Sequence, residues 1–481
     1  MISRQFLKSS VIYSTVGALP SAAGFILIPW FTALLTPAQF GINALYITLM
    51  YLSQIICSFG LDMSTGVLYF DFKDNKQKLN EFMGTVFLML SITGTLTLLF
   101  FVFGGIELFR ITFKSQDFIE LIPFGLLTIL SGVFNSFFKT YSALLINQQR
   151  PERFFWINVI NFILTIGPTL ILLYIFPFNL YGPVVGRLIP AVIMAAITLT
   201  LIGREYGLTW HSIYLKKIIS YTAPLLVNGL MTWVVSYIDR FLILRIMKDP
   251  VSVAIFDVSW KLVMGIELIM AWLVNTITPK VYNIWKDQQV RGSTLEVNRY
   301  YNGLTAFFLL FLPLFTITVP IVLPLVIKEE VYYRAFDFLP VMTAAYATRV
   351  WFFLFLAPVM YFKNTKALPK VLLISAVFEV ICGSLMILYF GLWGAVITNF
   401  LIKPLQALML WFFSKKTFEF RLNAWKIFYL PLIFVSLSLL CEGFLAKEYR
   451  FGGLLFQFVV NGLLVFTVYR REIPLLLRRR S

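Results

Sequence analysis

Leu180-Tyr181-Gly182-Pro183-Val184 returns about 210 residues later as Leu392-Trp393-Gly394-Ala395-Val396. Each copy follows a short turn, read as external, and opens an apolar run that carries a proline further in, Pro190 and Pro404. A weaker echo pairs Thr36-Pro37-Ala38-Gln39-Phe40-Gly41-Ile42 with Asp249-Pro250-Val251-Ser252-Val253-Ala254-Ile255, and Thr or Asp before Pro is a tight-turn signal. The chain around these echoes has 481 residues, 59% hydrophobic and only 13% charged, with a mean hydropathy of +0.83. Soluble domains carry roughly 25% charged residues. Apolar runs of about 20 residues recur from end to end, which is the length a bilayer demands of a helix.

The reading is an all-α polytopic membrane protein with about fourteen spans, in which spans one to six and seven to twelve are copies of one unit. Residues 1–203 form the first lobe, 204–217 a cytoplasmic linker with Trp210 at the interface, 218–413 the second lobe, and 414–481 two further spans with a basic tail. Six is even, so the copies run in parallel, and a central cavity is expected between them. Of the 40 Lys and Arg, one set of connections holds only Arg110, Lys114, Lys248, Lys328, Arg334, Lys447 and Arg450. The opposite set is far richer, so both termini are expected on the cytoplasmic side and the net charge of +17 is a topology signal, not a nucleic-acid one. The tail Arg478, Arg479 and Arg480 is read as a contact for anionic lipid.

Eight cations fall inside the apolar runs: Lys139, Arg187, Arg240, Arg245, Lys261, Lys280, Arg349 and Lys403. A charge at that depth is costly unless it meets water, a partner or a ligand, so it marks a pathway or a site. Arg187 lies five residues beyond Gly182 and Lys403 nine beyond Gly394, one helical turn apart on the same face. Lys139 and Arg349 occupy matching stripes of spans four and ten, about two turns apart. These four are the leading substrate-binding cations, with Arg240 and Lys261 behind them. Asp257 and Lys261 stand at i and i+4 and can pair along one helix, Asp239 adjoins Arg240, and Arg245 and Lys280 lie near helix ends where they can snorkel.

The carboxylates Asp62, Asp239, Asp257, Glu267 and Glu379 are candidates for holding a coupling H⁺ or Na⁺. Cys57, Cys382 and Cys441 sit at unrelated spacings, and with a single histidine, His211, they point to no metal centre or disulfide framework. Trp233, Trp260, Trp272 and Trp351 offer flat faces for sugar rings or for ordinary helix packing. Gly182 and Gly186 form a GxxxG that signals close helix contact.

The chain resembles the polysaccharide transporters of the multidrug/oligosaccharidyl-lipid/polysaccharide exporter (MOP) superfamily, of the Wzx O-antigen flippase type. The resemblance rests on Leu35-Thr36-Pro37-Ala38-Gln39-Phe40-Gly41, the Leu-aromatic-Gly entries at 180 and 392, Pro224 and Asp239-Arg240 in span seven, and the six-plus-six-plus-two layout. Asp257 departs from it, standing where an aromatic or small residue is expected. The resemblance implies a transporter rather than an enzyme, in the inner membrane, carrying an undecaprenyl-pyrophosphate-linked oligosaccharide of O-antigen, capsule or exopolysaccharide type to the periplasmic leaflet. It implies membrane lipids, a polysaccharide polymerase and a chain-length regulator as partners, no nucleic acid, and no cofactor beyond a coupling ion. A lipid II-type flippase and an organic-cation antiporter of the same superfamily are the nearest alternatives. A membrane polymerase or glycosyltransferase is disfavoured, because the connections are short and no carboxylate pair or nucleophile with a base stands at useful spacing.

Overall fold

The computed structural model describes residues 12–13, 15–105, 107, 109, 119–288, 292–444 and 450–470. Arg4, Lys8, Arg110, Lys114, Arg291, Lys447 and the tail arginines Arg478, Arg479 and Arg480 lie outside them. Among the described residues the secondary structure is helical, with one isolated bridge between Gly292 and Glu419. Among the described residues eleven helices are long and apolar enough to cross a membrane. Two shorter apolar helices, Ala22–Leu34 and Trp425–Cys441, and the charge-bearing helix Pro250–Gln288 occupy the other positions of the expected fourteen.

The helices in chain order are α1 (Leu19–Ile26), α2 (Ile28–Leu34), α3 (Pro37–Ser58), α4 (Leu61–Phe72), α5 (Lys76–Phe103), α6 (Leu126–Asn147), α7 (Pro151–Ile175), α8 (Tyr181–Glu205), α9 (Leu215–Met247), α10 (Pro250–Gln288), α11 (Leu295–Val326), α12 (Ala335–Tyr361), α13 (Ala367–Phe390), α14 (Leu392–Ser414), α15 (Leu430–Phe444) and α16 (Arg450–Val468). They group into two compact units, Met1–Ala254 and Ile255–Ser481. The sequence echoes place the repeat boundary at 204–217, whereas compactness divides the chain later because α9 packs on α3 and α4. Trp233 donates to the Thr48 carbonyl at 2.9 Å, and Tyr237 stacks on Tyr51 with centroids 5.3 Å apart.

The first unit is organised by the two turns that the sequence singles out. Thr36 caps α3 by accepting from Gln39 N, while the Gln39 side chain accepts from Thr36 N, a reciprocal box that satisfies two end donors. The Gln39 amide also donates to the Phe178 carbonyl at 2.6 Å, tying this turn to the one that precedes α8. Asp249 plays the capping part for α10, accepting from Val251 N and Ser252 N at 3.0 Å. The two echoed turns meet: a Cβ added to Gly41 would lie 1.9 Å from the Pro250 carbonyl oxygen, so only glycine fits. The GxxxG also does what its pattern signals, since a Cβ on Gly186 would meet Thr169 Cα of α7 at 2.6 Å and one on Gly182 would meet Leu173 Cα at 3.0 Å. Behind these contacts Phe82, Met83, Val86, Phe87 and Leu90 of α5 pack with Phe137, Tyr141 and Leu144 of α6 in one apolar core. Gly84 brings the linker onto α5, a Cβ there falling 2.8 Å from Thr209 N, and His211 N donates to Thr85 Oγ1.

In the second unit α12 is buried along most of its length, from Ala335 to Val359. Its Thr343 hydroxyl meets Thr316 of α11 at 2.9 Å, and Trp351 donates to the Ile427 carbonyl at 2.6 Å. Gly394 repeats the role of Gly182: a Cβ there would lie 2.0 Å from the Met386 carbonyl oxygen of α13. The echo in sequence is therefore an echo in packing, each Leu-aromatic-Gly entry pressing its helix onto the preceding one.

Candidate functional site

The apolar run 42–68, read from the sequence as the second span, is not one helix. Phe59 (φ 50°) and Gly60 (φ 75°) adopt left-handed conformations that end α3 and restart the chain as α4. A side chain at 60 would be strained by that φ and would meet Leu225 Cβ at 2.8 Å and the Thr222 carbonyl at 3.0 Å, so glycine is required. The restart places Asp62 in the first turn of α4, where exposed helix N–H groups favour a negative charge. Its carboxylate lies 2.9 Å from Lys139 Nζ of α6. The Lys139 side chain is 45% exposed and that of Asp62 only 8%, so the cation is open and the acid lies behind it. Alongside, Asn135 donates to Gln54 at 3.3 Å.

Arg187 of α8 donates to Asn43 Oδ1 at 2.9 Å and to its own Pro183 carbonyl at 3.1 Å, with its guanidinium 5.4 Å from the Phe31 ring. It is half-buried, and the Asn43 contact engages it through a neutral amide oxygen. Asp239 and Arg240 of α9 are both fully buried, and Arg240 donates to the Ser236 carbonyl at 2.8 Å beside the Tyr237 ring.

In the second unit Lys261 pairs with Asp257 at 2.6 Å along α10, the i, i+4 contact expected from their spacing. Arg349 of α12 is held from two sides: Nε and Nη2 donate to Glu267 Oε1 at 3.1 and 3.0 Å, and Nη1 donates to Gln406 Oε1 at 2.8 Å. The Phe352 ring covers it at 4.0 Å. Gln406 also donates to Ser375 at 3.3 Å, so the network joins α10, α12, α13 and α14. Lys403 of α14 is buried, donates to Asn399 Oδ1 at 2.5 Å and lies 4.7 Å from the Tyr346 ring. Glu379 of α13 is fully buried. Arg245 and Lys280 are exposed, Lys280 lying over the Tyr300 ring.

The six cations and five carboxylates expected from sequence thus fall into different environments. Asp62 and Glu267, which the sequence leaves without partners, are tied to the fourth-span cations of their repeats, Asp62 to Lys139 and Glu267 to Arg349. Both acids come from the second span of their repeat, so the pairing is itself repeated. Sequence reasoning passes over the amides Asn43, Asn399 and Gln406; counting polar amides in apolar runs with the charges would have flagged them. Trp233 and Trp351 are buried hydrogen-bonding anchors of helix packing, while Trp272 is 62% exposed. Among the described residues no group of three His, Cys, Asp or Glu side chains is placed to hold a metal ion.

Residues 6–285, more than half of the chain, match the family described as polysaccharide biosynthesis protein. The chain belongs to that family. Its fold is similar to that of the lipid II flippase MurJ in an inward closed conformation, with a TM-score of 0.69 over 95% of this chain and 99% of that one at 15% identity. An inward-facing multidrug resistance MATE family transporter of the MOP superfamily matches at TM-score 0.66 and 16% identity, over 84% of this chain and 94% of that one. A MOP superfamily transporter from Pyrococcus furiosus, whose binding pocket is described as of reverse polarity, matches at TM-score 0.58 and 12% identity, over 86% and 95%. No curated protein matches the chain. At these identities the likenesses show a shared fold, that of the MOP transporters.

Proposed function

We propose that this member of the family is a flippase that moves a polyprenyl-pyrophosphate-linked oligosaccharide from the cytoplasmic to the periplasmic leaflet of the inner membrane by alternating access, with both chain termini cytoplasmic. The observation that carries the reading is the set of basic side chains placed within apolar helices. Lys139 is nearly half exposed, and Arg187, half-buried, donates to the Asn43 amide oxygen. A pyrophosphate crossing hydrocarbon bare pays a prohibitive desolvation cost, and fixed cations lower it while the polyprenyl chain stays in lipid. Arg187 and Arg349 suit forked phosphate contacts, and Lys139 and Lys403 serve as point charges. Glu379 and Asp239, both fully buried, are among the acids read as candidates to hold a coupling H⁺ or Na⁺.

Replacing Lys139, Arg187, Arg349 and Lys403 singly by Ala and measuring surface glycan tests the assignment. Loss in at least two of the four is expected, and wild-type levels in all four would overturn it. A lipid II-type cargo presents the same pyrophosphate; supplying each lipid-linked substrate to proteoliposomes separates the two by which one is flipped. Glycan elongation by the purified protein would place it among polymerases instead.

A further inference from the structure

We infer that Asp62 is a built-in substitute for the cargo phosphate: it holds Lys139 while the protein is empty and yields it when a phosphate arrives. The inference rests on the reading of Lys139 as a cargo-binding cation. Three observations support it. The first is the asymmetry of the pair, with the ammonium 45% exposed and the carboxylate 8% exposed. An incoming anion reaches Lys139 from its open side, and the ammonium has three donors of which one N···O contact of 2.9 Å engages Asp62. The second is the break at Phe59 and Gly60. A carboxylate stripped of its cation inside an apolar bundle is ordinarily prohibitive, but Asp62 lies in the first turn of α4, whose aligned peptide dipoles favour the negative charge that remains. The helix break thus lets the pair separate.

The third is the contrast with the equivalent pair of the second repeat. There the exposures are reversed, 17% for the cation and 32% for the acid. Arg349 is also retained by Gln406 and covered by Phe352, so it is fixed in place rather than exchangeable. Of these two pairs, the first-repeat one combines a contact to Asp62, an open cation and a helix N-terminus behind the acid. Asp62 then acts as a positioning residue that competes with cargo for Lys139: it keeps the empty site neutral, and it helps expel the phosphate by reclaiming its cation.

The test is equilibrium binding of farnesyl pyrophosphate, with farnesol as the blank, to the full-length protein in nanodiscs, alongside surface glycan in cells. Asp62→Asn removes the competitor and leaves Lys139 half exposed rather than stranded in the core. Affinity should rise about tenfold, the scale of one close charge pair, while surface glycan falls because release slows. Lys139→Gln should lose about tenfold in affinity, and in that background Asp62→Asn should no longer tighten binding. A purely structural pair predicts that Asp62→Asn weakens binding or leaves it unchanged, and either result overturns the inference while leaving the cargo site intact. Wild-type affinity in Lys139→Gln overturns both the inference and the site reading beneath it. Asp62→Ser provides the same comparison if the Asn variant is not monodisperse, and the same tightening is required of it.

Discussion

Replacing Gly394 by Ala adds one methyl group at a backbone-to-backbone helix contact of the second unit. The new Cβ would lie 2.0 Å from the Met386 carbonyl oxygen, 2.2 Å from its carbon and 2.5 Å from Ile387 N, all main-chain atoms that cannot rotate away. Ordinary contact begins near 3.4 Å, so α13 and α14 must part by more than an ångström. Overpacking of this kind costs about 1–3 kcal/mol, and an immovable obstacle puts the change at the upper end. The gain in helix propensity from Gly to Ala offsets about 1 kcal/mol. The net loss is about 2 kcal/mol, a fall in melting temperature of about 4–8 °C for a unit of this size. Tryptophan fluorescence of the purified protein during heating measures it. Two companions calibrate the series. Gly182→Ala meets first a flexible Leu173 methyl at 2.9 Å and should lose less, and Gly167→Ala in α7 meets nothing within 4 Å and should gain about 0.5–1 kcal/mol. A Gly394→Ala protein that melts at or above the wild-type temperature, or a reversed order within the series, refutes the packing account.

Gly60→Ala combines a positive φ with backbone contact at 3.0 Å, and should cost about 2–3 kcal/mol in the same melt. Glu205 lies at the end of α8 and accepts from both Arg150 and Arg153; Glu205→Gln should cost about 1 kcal/mol, because the arginines are largely exposed, with the loss shrinking in high salt. Arg349→Lys keeps the charge but cannot span Glu267 and Gln406 together, so surface glycan should fall nearly as far as in Arg349→Ala; full rescue by Lys would show that charge alone suffices.

The apolar runs predicted the helices because bilayer thickness leaves little choice of element, and the Leu-aromatic-Gly echo predicted two equivalent helix contacts because only glycine tolerates such closeness. The Asp257–Lys261 pair was legible for a similar reason: both partners lie on one helix at a spacing that fixes their geometry. Asp62 with Lys139 and Glu267 with Arg349 were not, since each partner sits on a different helix and tertiary packing alone decides which acid meets which cation. The break at Phe59 and Gly60 escaped as well, because the run from Pro37 to Phe72 stays apolar through it and hydropathy does not register a change of backbone handedness. The amides Asn43 and Gln406 escaped because they carry no charge to stand out against the apolar background.

The meeting of Gly41 with Pro250 has a consequence for how the chain is made. More than 200 residues separate them, so when α3 first enters the membrane the surface that Gly41 leaves bare has no neighbour. Synthesis must run through α9 and into the first turn of α10 before that neighbour exists. A nascent chain released before residue 250 would carry all six spans of the first repeat and still lack a wall of its own compact unit, which makes it a substrate for membrane quality control rather than a half-transporter.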